Sequence, residues 1–209
     1  MIAAAASRIR EHHAWLSQLD CVAGDGDHGS AMMRTVDRLE KAFGRNTPSD
    51  LRTIFSEAGW SVMGADGGAS TSLLGAFFLG IGEATAAGVS SWNCQSLADA
   101  FRAGLAAVQA QTKAVPGDKT MMDALTPAVA ALAKAASAGH DVAQAFGEAA
   151  LEAKTGAERT QDMVARLGRA RLLGEKTRGS QDPGAASIAL LFEGFYQGVR
   201  ESEGDASNA

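Results

Sequence analysis

The chain is poor in several features that mark particular classes of protein. Its 209 residues include only two cysteines, Cys21 and Cys94, so no disulfide framework can form and a reducing, cytoplasmic setting is expected. Aromatic residues make up 6% of the chain, and no basic run or basic–aromatic alternation indicates a nucleic-acid partner. The longest apolar run, around residues 73–81, is too short to cross a membrane. We therefore expect neither a nucleic-acid nor a membrane partner.

The chain is rich in small apolar residues and has a mild excess of acidic residues. Apolar residues make up 46% of it, there are 24 glycines, and the formal net charge is −5. This composition suits closely packed helices better than a β-sandwich. Helical periodicity and helix-ending residues predict eight helices and no strand. The predicted helices span residues 2–19, 30–44, 49–64, 70–87, 95–112, 120–137, 141–167 and 184–201.

Local signals support several of these helix ends. Pro48, Ser49 and Asp50 are expected to begin the third helix, and Asp182 followed by Pro183 is typical of an N-cap with proline at the first helical position. The connections are short, which favours antiparallel neighbours. The sequence therefore predicts an all-α fold in one domain, residues 1–209, built as an eight-helix antiparallel bundle or barrel.

The most informative stretch runs from Asp20 to Gly29, where three aspartates alternate with glycines between two predicted helices. On a helix, Asp25 and Asp27 would point about 200° apart, so this stretch must be a loop. Converging carboxylates repel one another unless a cation is present, and hard cations such as Mg²⁺ neutralise them. The alternative is a solvated turn, because aspartate and glycine are ordinary turn residues.

Two familiar motifs match this loop only superficially. Gly24, Gly26 and Gly29 fit the dinucleotide-binding pattern, but that pattern needs a preceding strand and the residues before it are helix formers. A calcium-binding EF-hand loop starting at Asp25 would place Ser30 at its glycine position and Val36 at its closing glutamate. Both readings are rejected.

Three further loops are polar or rich in glycine between apolar helices. Residues 64–71 carry glycines before Ser70 and Thr71, which is typical either of an anion site at a helix start or of a capped turn. Residues 168–184 carry four cations that could offset phosphoryl charge or form a solvated basic loop.

The remaining loop, residues 115–123, superficially suggests a phosphate-binding lysine. A Walker loop needs glycine directly before the lysine, whereas Asp118 precedes Lys119 here. We interpret Asp118 as a helix N-cap, with Lys119 solvated or paired to it. Met121 and Met122 either belong to the core or line a flat apolar slot for a base.

Together, these four loops resemble the L subunit of bacterial dihydroxyacetone kinases, which corresponds to the C-terminal nucleotide domain of the single-chain kinases. The resemblance covers nearly the whole chain, and the motifs occur in the same order. The matching segments are Leu19-Asp20, Gly24–Gly29, Gly67–Ser70, Pro116–Met121, Gly168–Ala170, Leu173–Glu175 and Asp182–Ala185.

The resemblance implies an eight-helix barrel with a nucleotide site at one end. It implies two Mg²⁺ ions held by Asp20, Asp25 and Asp27, and a catalytic role for Arg169. The implied ADP or ATP contacts are His28, Gly29, Ser30, Ala31, Ala69, Ser70, Thr112, Met121, Arg169, Asp182, Pro183 and Gly184. The chain departs from the family where Ala31 replaces a common asparagine and Thr71 a common glycine, while every implied metal ligand is present.

The resemblance also implies partners. A separate K-type subunit would hold the ketose through a histidine, and a phosphotransferase-system protein would supply the phosphoryl group if ADP stays bound, whereas free ATP would supply it otherwise. A homodimer is also compatible. Two other functions remain open: a non-catalytic nucleotide-sensing module that regulates a transcription factor, and a helical interaction protein without a ligand.

Overall fold

Eight α-helices form a closed ring in the computed structural model, which describes residues 1–44 and 50–206. Each helix packs against the next in sequence, and the first packs against the last. Within the described residues there is no strand, so the predicted all-α fold is confirmed. The helices are α1 (Ile2–Cys21), α2 (His28–Phe43), α3 (Leu51–Met63), α4 (Gly68–Ala84), α5 (Cys94–Gln111), α6 (Met122–Ser137), α7 (Val142–Arg159) and α8 (Pro183–Ala206). Short 3₁₀ segments cover Thr160–Asp162 and Arg169–Thr177.

Side-chain caps fix several helix starts as the sequence predicted. Asp50 accepts a hydrogen bond from the Thr53 amide at 2.8 Å, although Pro48 and Ser49, also expected at this start, lie outside the described residues. Asp182 accepts from the Ala185 amide at 2.7 Å, with Pro183 as the first residue of α8. Each such cap stabilises its helix by about 1 kcal/mol.

The predicted end of the seventh helix is wrong. The helix was expected to reach residue 167, but α7 ends at Arg159 and the chain turns through a 3₁₀ segment. The Thr160 carbonyl accepts from the Met163 amide, which is a 3₁₀ bond, and from the Lys119 side chain, while the Asp162 carbonyl accepts from the Arg178 side chain. Tertiary contacts thus override a segment whose local sequence favours helix.

Glycines bring neighbouring helices of the ring into backbone contact. A methyl group added at Gly59 of α3 would lie 2.7 Å from the Leu79 amide nitrogen of α4. One added at Gly194 of α8 would lie 2.2 Å from the Cα atom of Ala5 in α1. Both distances are too short for a side chain, so these seams accept only glycine, as the small-residue composition suggested. No helix among the described residues is long and apolar enough to cross a membrane.

Aromatic rings fill the interior of the ring around Phe101, which is 1% exposed. The Phe101 ring centroid lies 5.5 Å from that of Phe77, 5.6 Å from Phe146 and 6.1 Å from Phe192, each in an edge-to-face arrangement. Edge-to-face pairs add to the free energy gained from burying apolar area. Residues of α4, α5, α7 and α8 therefore meet at one side chain.

We expect Phe101→Ala to lower the free energy of unfolding by about 3–5 kcal/mol, because it leaves a cavity where four helices meet. Urea denaturation followed by circular dichroism measures the change. Leu151→Ala, on the exposed face of α7, serves as the control and should change stability by no more than about 0.5 kcal/mol. A comparable loss in both variants would contradict this account of the core.

Candidate functional site

Four loops meet at one end of the ring around a cavity of about 670 Å³. They are residues 22–27, 64–67, 112–121 and 160–182. Each joins an odd-numbered helix to the next one, so in an up-and-down ring all four fall at the same end. The loops that the sequence singled out are therefore neighbours in space, although they are far apart in the chain.

Most of the predicted site residues line this cavity. They come from all four loops and from the helix starts that follow them. The predicted residues that line it are Asp20, Asp25, Asp27, His28, Ala69, Ser70, Thr112, Met121, Arg169, Asp182, Pro183 and Gly184.

Three residues of the predicted nucleotide site are not among the lining residues. Gly29 packs against α1, where an added methyl group would lie 2.6 Å from the Ser17 hydroxyl oxygen. Ala31 is buried in the core, and Ser30 lies on the exposed face of α2. All three follow the aspartate loop in sequence, but the helix that begins at His28 turns them away from the cavity surface.

The three aspartates converge as predicted. Asp20 lies in the last turn of α1, and one carboxylate oxygen from each of Asp20, Asp25 and Asp27 lies within 4.8 Å of the others. Glycine is needed between them: Gly26 has a φ angle of +77°, and a methyl group at Gly24 would lie 2.1 Å from Asp20 Oδ1. The backbone is therefore shaped so that the carboxylates meet.

A divalent cation fits this donor set. Asp20 Oδ2 is buried and has no hydrogen-bond partner, which is costly for a carboxylate unless a cation coordinates it. Three oxygen ligands from carboxylates suit Mg²⁺ better than softer metals, which prefer nitrogen and sulfur. The residues present thus match the chemistry of a magnesium site.

Arg169 reaches the aspartate cluster from the long loop between α7 and α8. Its guanidinium donates two hydrogen bonds to Asp25, with Nη2 at 3.1 Å from Oδ1 and a shorter contact from Nη1 to Oδ2. This pairing lowers the pKa of Asp25 to about 2. A bidentate arginine holds a carboxylate or phosphate in a fixed plane, so its cation is placed at the edge of the predicted metal site.

His28 stands at the first position of α2 and is buried beside the cluster. Its Nε2 lies 3.2 Å from the hydroxyl of Ser187 on α8. Burial lowers the pKa of His28, although the charges of Asp20 and Asp27 partly oppose that effect. The folded protein therefore favours a neutral imidazole facing the cavity, able to donate or accept a hydrogen bond.

The start of α4 provides backbone donors on another side of the cavity. Gly67 is its N-cap and offers no side-chain acceptor, so the first amides of Gly68, Ala69 and Ser70 have no cap. Unfilled amides and the positive end of the helix dipole favour an anion there. Of the two interpretations of this loop, the capped turn is wrong.

The interpretation of residues 115–123 is also wrong in two respects. Asp118 is not a helix N-cap, because its carboxylate accepts a hydrogen bond from the preceding Val115 amide at 3.0 Å. Lys119 is neither solvated nor paired to Asp118; its ammonium is buried against the backbone carbonyls of Thr160 and Ser180. The loop is instead organised by Asp123.

Sequence reasoning overlooked Asp123, which is buried and shapes the wall of the cavity. Its carboxylate accepts from the amides of Gly117 at 2.5 Å and Thr120 at 2.8 Å. Gly117 adopts a φ angle of +100°, which allows its amide to turn inward. The position of Asp123, three residues after Thr120, could have indicated this role, because an aspartate side chain can accept from a backbone amide three residues earlier.

Asp182 titrates in an unusual range for a carboxylic acid. Burial raises its pKa to about 7, against opposing effects from the Ala185 amide and Lys119. The folded protein therefore holds a proton on Asp182 that the unfolded chain, with a carboxyl pKa near 3.9, has released. The contribution of Asp182 to the unfolding free energy should consequently fall as the pH rises from about 4 to about 7, while His28, whose pKa is lowered, contributes in the opposite direction near pH 6.

We expect Asp182→Asn to flatten this pH dependence and to be more stable than the parent at pH 7.5. Asparagine keeps the N-cap acceptor and has no proton to lose. Urea titrations at pH 4.5, 6.0 and 7.5 measure the effect. Asp50→Asn is the contrasting control, because hydrogen bonds from Gly88 and Thr53 lower the pKa of Asp50 and that variant should lose stability at neutral pH. A decline from pH 4.5 to 7.5 unchanged by Asp182→Asn would contradict the assignment.

Comparison with known proteins places the chain among related sequences. Residues 22–197 match the DAK2 domain family. The chain is 38% identical over 190 residues to the ADP-binding subunit DhaL of PEP-dependent dihydroxyacetone kinase 1 from Listeria innocua, covering 91% of this chain and 89% of that one. It is 36% identical over 187 residues to the corresponding subunit from Escherichia coli, covering 90% and 89%.

Longer kinases match over only part of their length. L-erythrulose 1-kinase of Mycolicibacterium smegmatis is 39% identical over 187 residues, which are 88% of this chain and 32% of that protein. The crystal structure of the dihydroxyacetone kinase of C. freundii superposes with a TM-score of 0.72 at 27% identity, covering 94% of this chain and 33% of the kinase. The same kinase in complex with AMP-PNP and Mg²⁺ gives a TM-score of 0.71. The chain thus spans about a third of these longer enzymes.

Proposed function

Because this chain belongs to the DAK2 domain family, we propose that it is the nucleotide-binding subunit of a kinase for dihydroxyacetone or a similar short ketose. In this role it holds magnesium and ADP or ATP in the cavity at the end of the ring. It transfers a phosphoryl group to a ketose held by a separate K-type subunit. The observation that carries the proposal is the buried, unpartnered Oδ2 of Asp20 within the aspartate cluster.

Asp20, Asp25 and Asp27 are the proposed ligands of two magnesium ions. Magnesium held by these residues would neutralise phosphate charge, which is the main requirement of phosphoryl transfer. Arg169 also donates hydrogen bonds to Asp25 and so fixes one of the three carboxylates. The aspartates thus supply a preorganised set of hard oxygen donors.

Other residues of the cavity orient and neutralise the phosphates. The uncapped amides at Ala69 and Ser70 are donors for phosphate oxygens, and neutral His28 offers one further hydrogen bond. Arg169, which lies beside Asp25, is the proposed catalytic cation that would stabilise charge developing on the transferred group. Met121 and the turn at Asp182–Gly184 form the less polar wall where a nucleobase would lie.

The ketose is expected on a partner, because the proposed roles of the cavity residues all serve the phosphoryl donor. Exposed apolar side chains lie in the same loops: Leu172 is 81% exposed in the loop that carries Arg169, and Val22 follows the helix that carries Asp20. Exposed leucines beside a site are typical of a surface that a protein partner covers. A K-type subunit docked there would complete the site and exclude water.

The names of the relatives favour one of the two donor modes. Subunits similar over nine-tenths of their length are called ADP-binding and PEP-dependent. We therefore propose that ADP remains bound to this chain and is phosphorylated in place by a phosphotransferase-system protein. Nucleotide that copurifies with the chain and does not exchange with labelled ADP would support this mode, whereas rapid exchange with ATP would contradict it.

Two measurements test the proposed function. Calorimetric titration of the chain, after any copurifying nucleotide has been removed, should give one Mg-ADP bound per chain, and chelation of the metal should abolish binding. The isolated chain should not phosphorylate dihydroxyacetone or a tetrulose, and activity should appear when a K-type subunit and a phosphoryl donor are added. Binding without activity under any donor would favour the nucleotide-sensing alternative. If the chain does not bind Mg-ADP at all, the remaining alternative is a helical interaction protein without a ligand.

A further inference from the structure

Lys119 has a backbone conformation that lysine rarely adopts. Its φ angle is +61°, and no other residue except glycine has a positive φ within residues 1–44 and 50–206. A residue with a Cβ atom is strained in this region and stays there only when its surroundings demand it. Its side chain is also buried, at 8% exposure, which is unusual for lysine. A strained φ angle and a buried charge, each of which destabilises the fold, therefore occur together at Lys119.

The hydrogen bonds of the ammonium show what the strained backbone and the buried charge of Lys119 achieve. Nζ donates to the carbonyl of Thr160 at 2.5 Å and also to the carbonyl of Ser180. These carbonyls belong to the two ends of the 160–182 loop, where the chain leaves α7 and where it approaches α8. One side chain therefore closes the loop at its base.

Other bonds also hold the loop base, and one of them is charged: the Arg178 guanidinium donates to the Asp162 carbonyl. The Asp182 amide donates to Thr160 Oγ1 at 2.8 Å, and the Gly179 amide donates to the Gln161 carbonyl at 2.9 Å. Both are bonds between neutral groups, whereas a bond from an ammonium is about twice as strong. Lys119 also sits in a different loop, so it joins both of these ends to the 112–121 wall, which the 160–182 loop also meets through Arg166, 3.8 Å from Asp118.

Acidic side chains near the Lys119 ammonium favour its charged form in this buried position. Burial lowers the pKa of Lys119, and the carboxylates of Asp182, Asp123 and Asp162 oppose that effect, while Arg178 adds to it. The ammonium thus has Asp123 and Asp162 as acidic neighbours, and Asp182 as a third once that group ionises above about pH 7. Lys119 lines the cavity, but two of its three N–H donors are already directed to the loop base, unlike those of a lysine devoted to phosphate.

We propose that Lys119 is a positioning residue that holds both ends of the 160–182 loop, so that Arg169 stands beside the aspartate cluster. Lys119 acts through Arg169 and does not contact the nucleotide phosphates. The effect of Lys119 on catalysis rests on the proposed function, but its role in closing the loop does not depend on that function. The 115–123 segment, despite its likeness to a phosphate-binding loop, then anchors the loop that carries the catalytic cation.

Trypsin cleavage without nucleotide tests the closure directly. The loop contains five cleavage sites, Arg166, Arg169, Arg171, Lys176 and Arg178. In Lys119→Met, cleavage within the loop should become about tenfold faster, because the buried charged bonds that hold its ends are lost. Lys154→Met is the matched control, since Lys154 is exposed on α7 and pairs only with Glu158 at 4.0 Å. Circular dichroism should show that both variants keep their helices.

If Lys119→Met does not fold, Lys119→Gln answers the same question, because the amide keeps donors but loses the charge and part of the reach. Its loop should be cleaved at a rate above the parent. Loop protection equal to that of the parent in a folded variant would overturn the proposal.

Nucleotide affinities and turnover separate positioning from phosphate contact. In Lys119→Met, the ratio of the Kd values for AMP and ADP should match the parent ratio, because no contact to the second phosphate is lost. The transfer rate at saturating nucleotide should fall at least about tenfold in the complex with a K-type subunit, as Arg169 is displaced. A selective loss of ADP affinity would overturn the proposal. Failure of the parent to bind Mg-ADP would refute the proposed function, while the cleavage result would still decide the role of Lys119.

Discussion

Asp25→Asn and Asp27→Asn are each expected to abolish magnesium-dependent binding of ADP while the chain stays helical. Each change removes a charged oxygen ligand from a cluster whose members lie within 4.8 Å of one another. Mg²⁺ requires several hard oxygen ligands in a strict geometry, so the remaining aspartates do not compensate. Calorimetric titration with and without Mg²⁺ measures the loss.

Asp99→Asn is the matched control for these variants. Asp99 is an exposed aspartate that also pairs with an arginine, Arg102, but it lies on α5 outside the cavity. Its replacement should leave ADP affinity unchanged. Without metal, Asp27→Asn should melt at the parent temperature or above it, because one repelling charge has been removed. Unchanged ADP affinity in both site variants would refute the metal assignment.

Arg169→Ala is expected to lower the phosphoryl-transfer rate at saturating nucleotide by about 10²-fold or more, with a smaller change in nucleotide affinity. A cation that meets charge developing in the transition state contributes more to the rate than to ground-state binding. The assay uses the complex with a K-type subunit and follows ketose phosphorylation at several nucleotide concentrations. Arg169→Lys should recover part of the rate, since it restores the charge but not the bidentate geometry.

The control for Arg169 comes from the same loop. Arg171 is exposed two residues further on and is absent from the cavity lining, so Arg171→Ala should keep most of the activity. If nucleotide affinity collapses in Arg169→Ala while the saturated rate stays normal, Arg169 is a binding residue. If neither quantity changes, Arg169 belongs to a solvated basic loop and the proposed mechanism is incorrect.

The parts of the fold predicted from sequence are those governed by local chemistry. Asp182 and Pro183 mark the start of α8 because capping and proline geometry act over a few residues. The convergence of Asp25 and Asp27 was predictable because the two would point about 200° apart on a helix, whereas glycines permit a tight loop. Short connections predicted antiparallel neighbours, and the position of the site at one end of the ring was implied by the family resemblance.

The parts that could not be predicted depend on distant groups. Nothing near Lys119 in the sequence indicates that its ammonium binds the carbonyls of Thr160 and Ser180, 41 and 61 residues away. The Thr160 carbonyl accepts both the Lys119 ammonium and the Met163 amide of the 3₁₀ turn that ends α7, where the sequence predicted more helix. The predicted end of the seventh helix and the interpretation of Lys119 therefore fail in the same region, where partners distant in sequence meet.

The glycine seams of the ring have a consequence for the width of the site. In a closed ring, the circumference is the sum of the spacings between neighbours, and Gly59 and Gly194 set two of these spacings to near their minimum. Enlarging either residue must lengthen the whole circumference or strain the other seams. The four site loops stand on the rim, so the gap between the aspartates and the start of α4 widens with it. The width of this cavity is therefore a property of the whole ring, set in part by glycines that do not line the cavity.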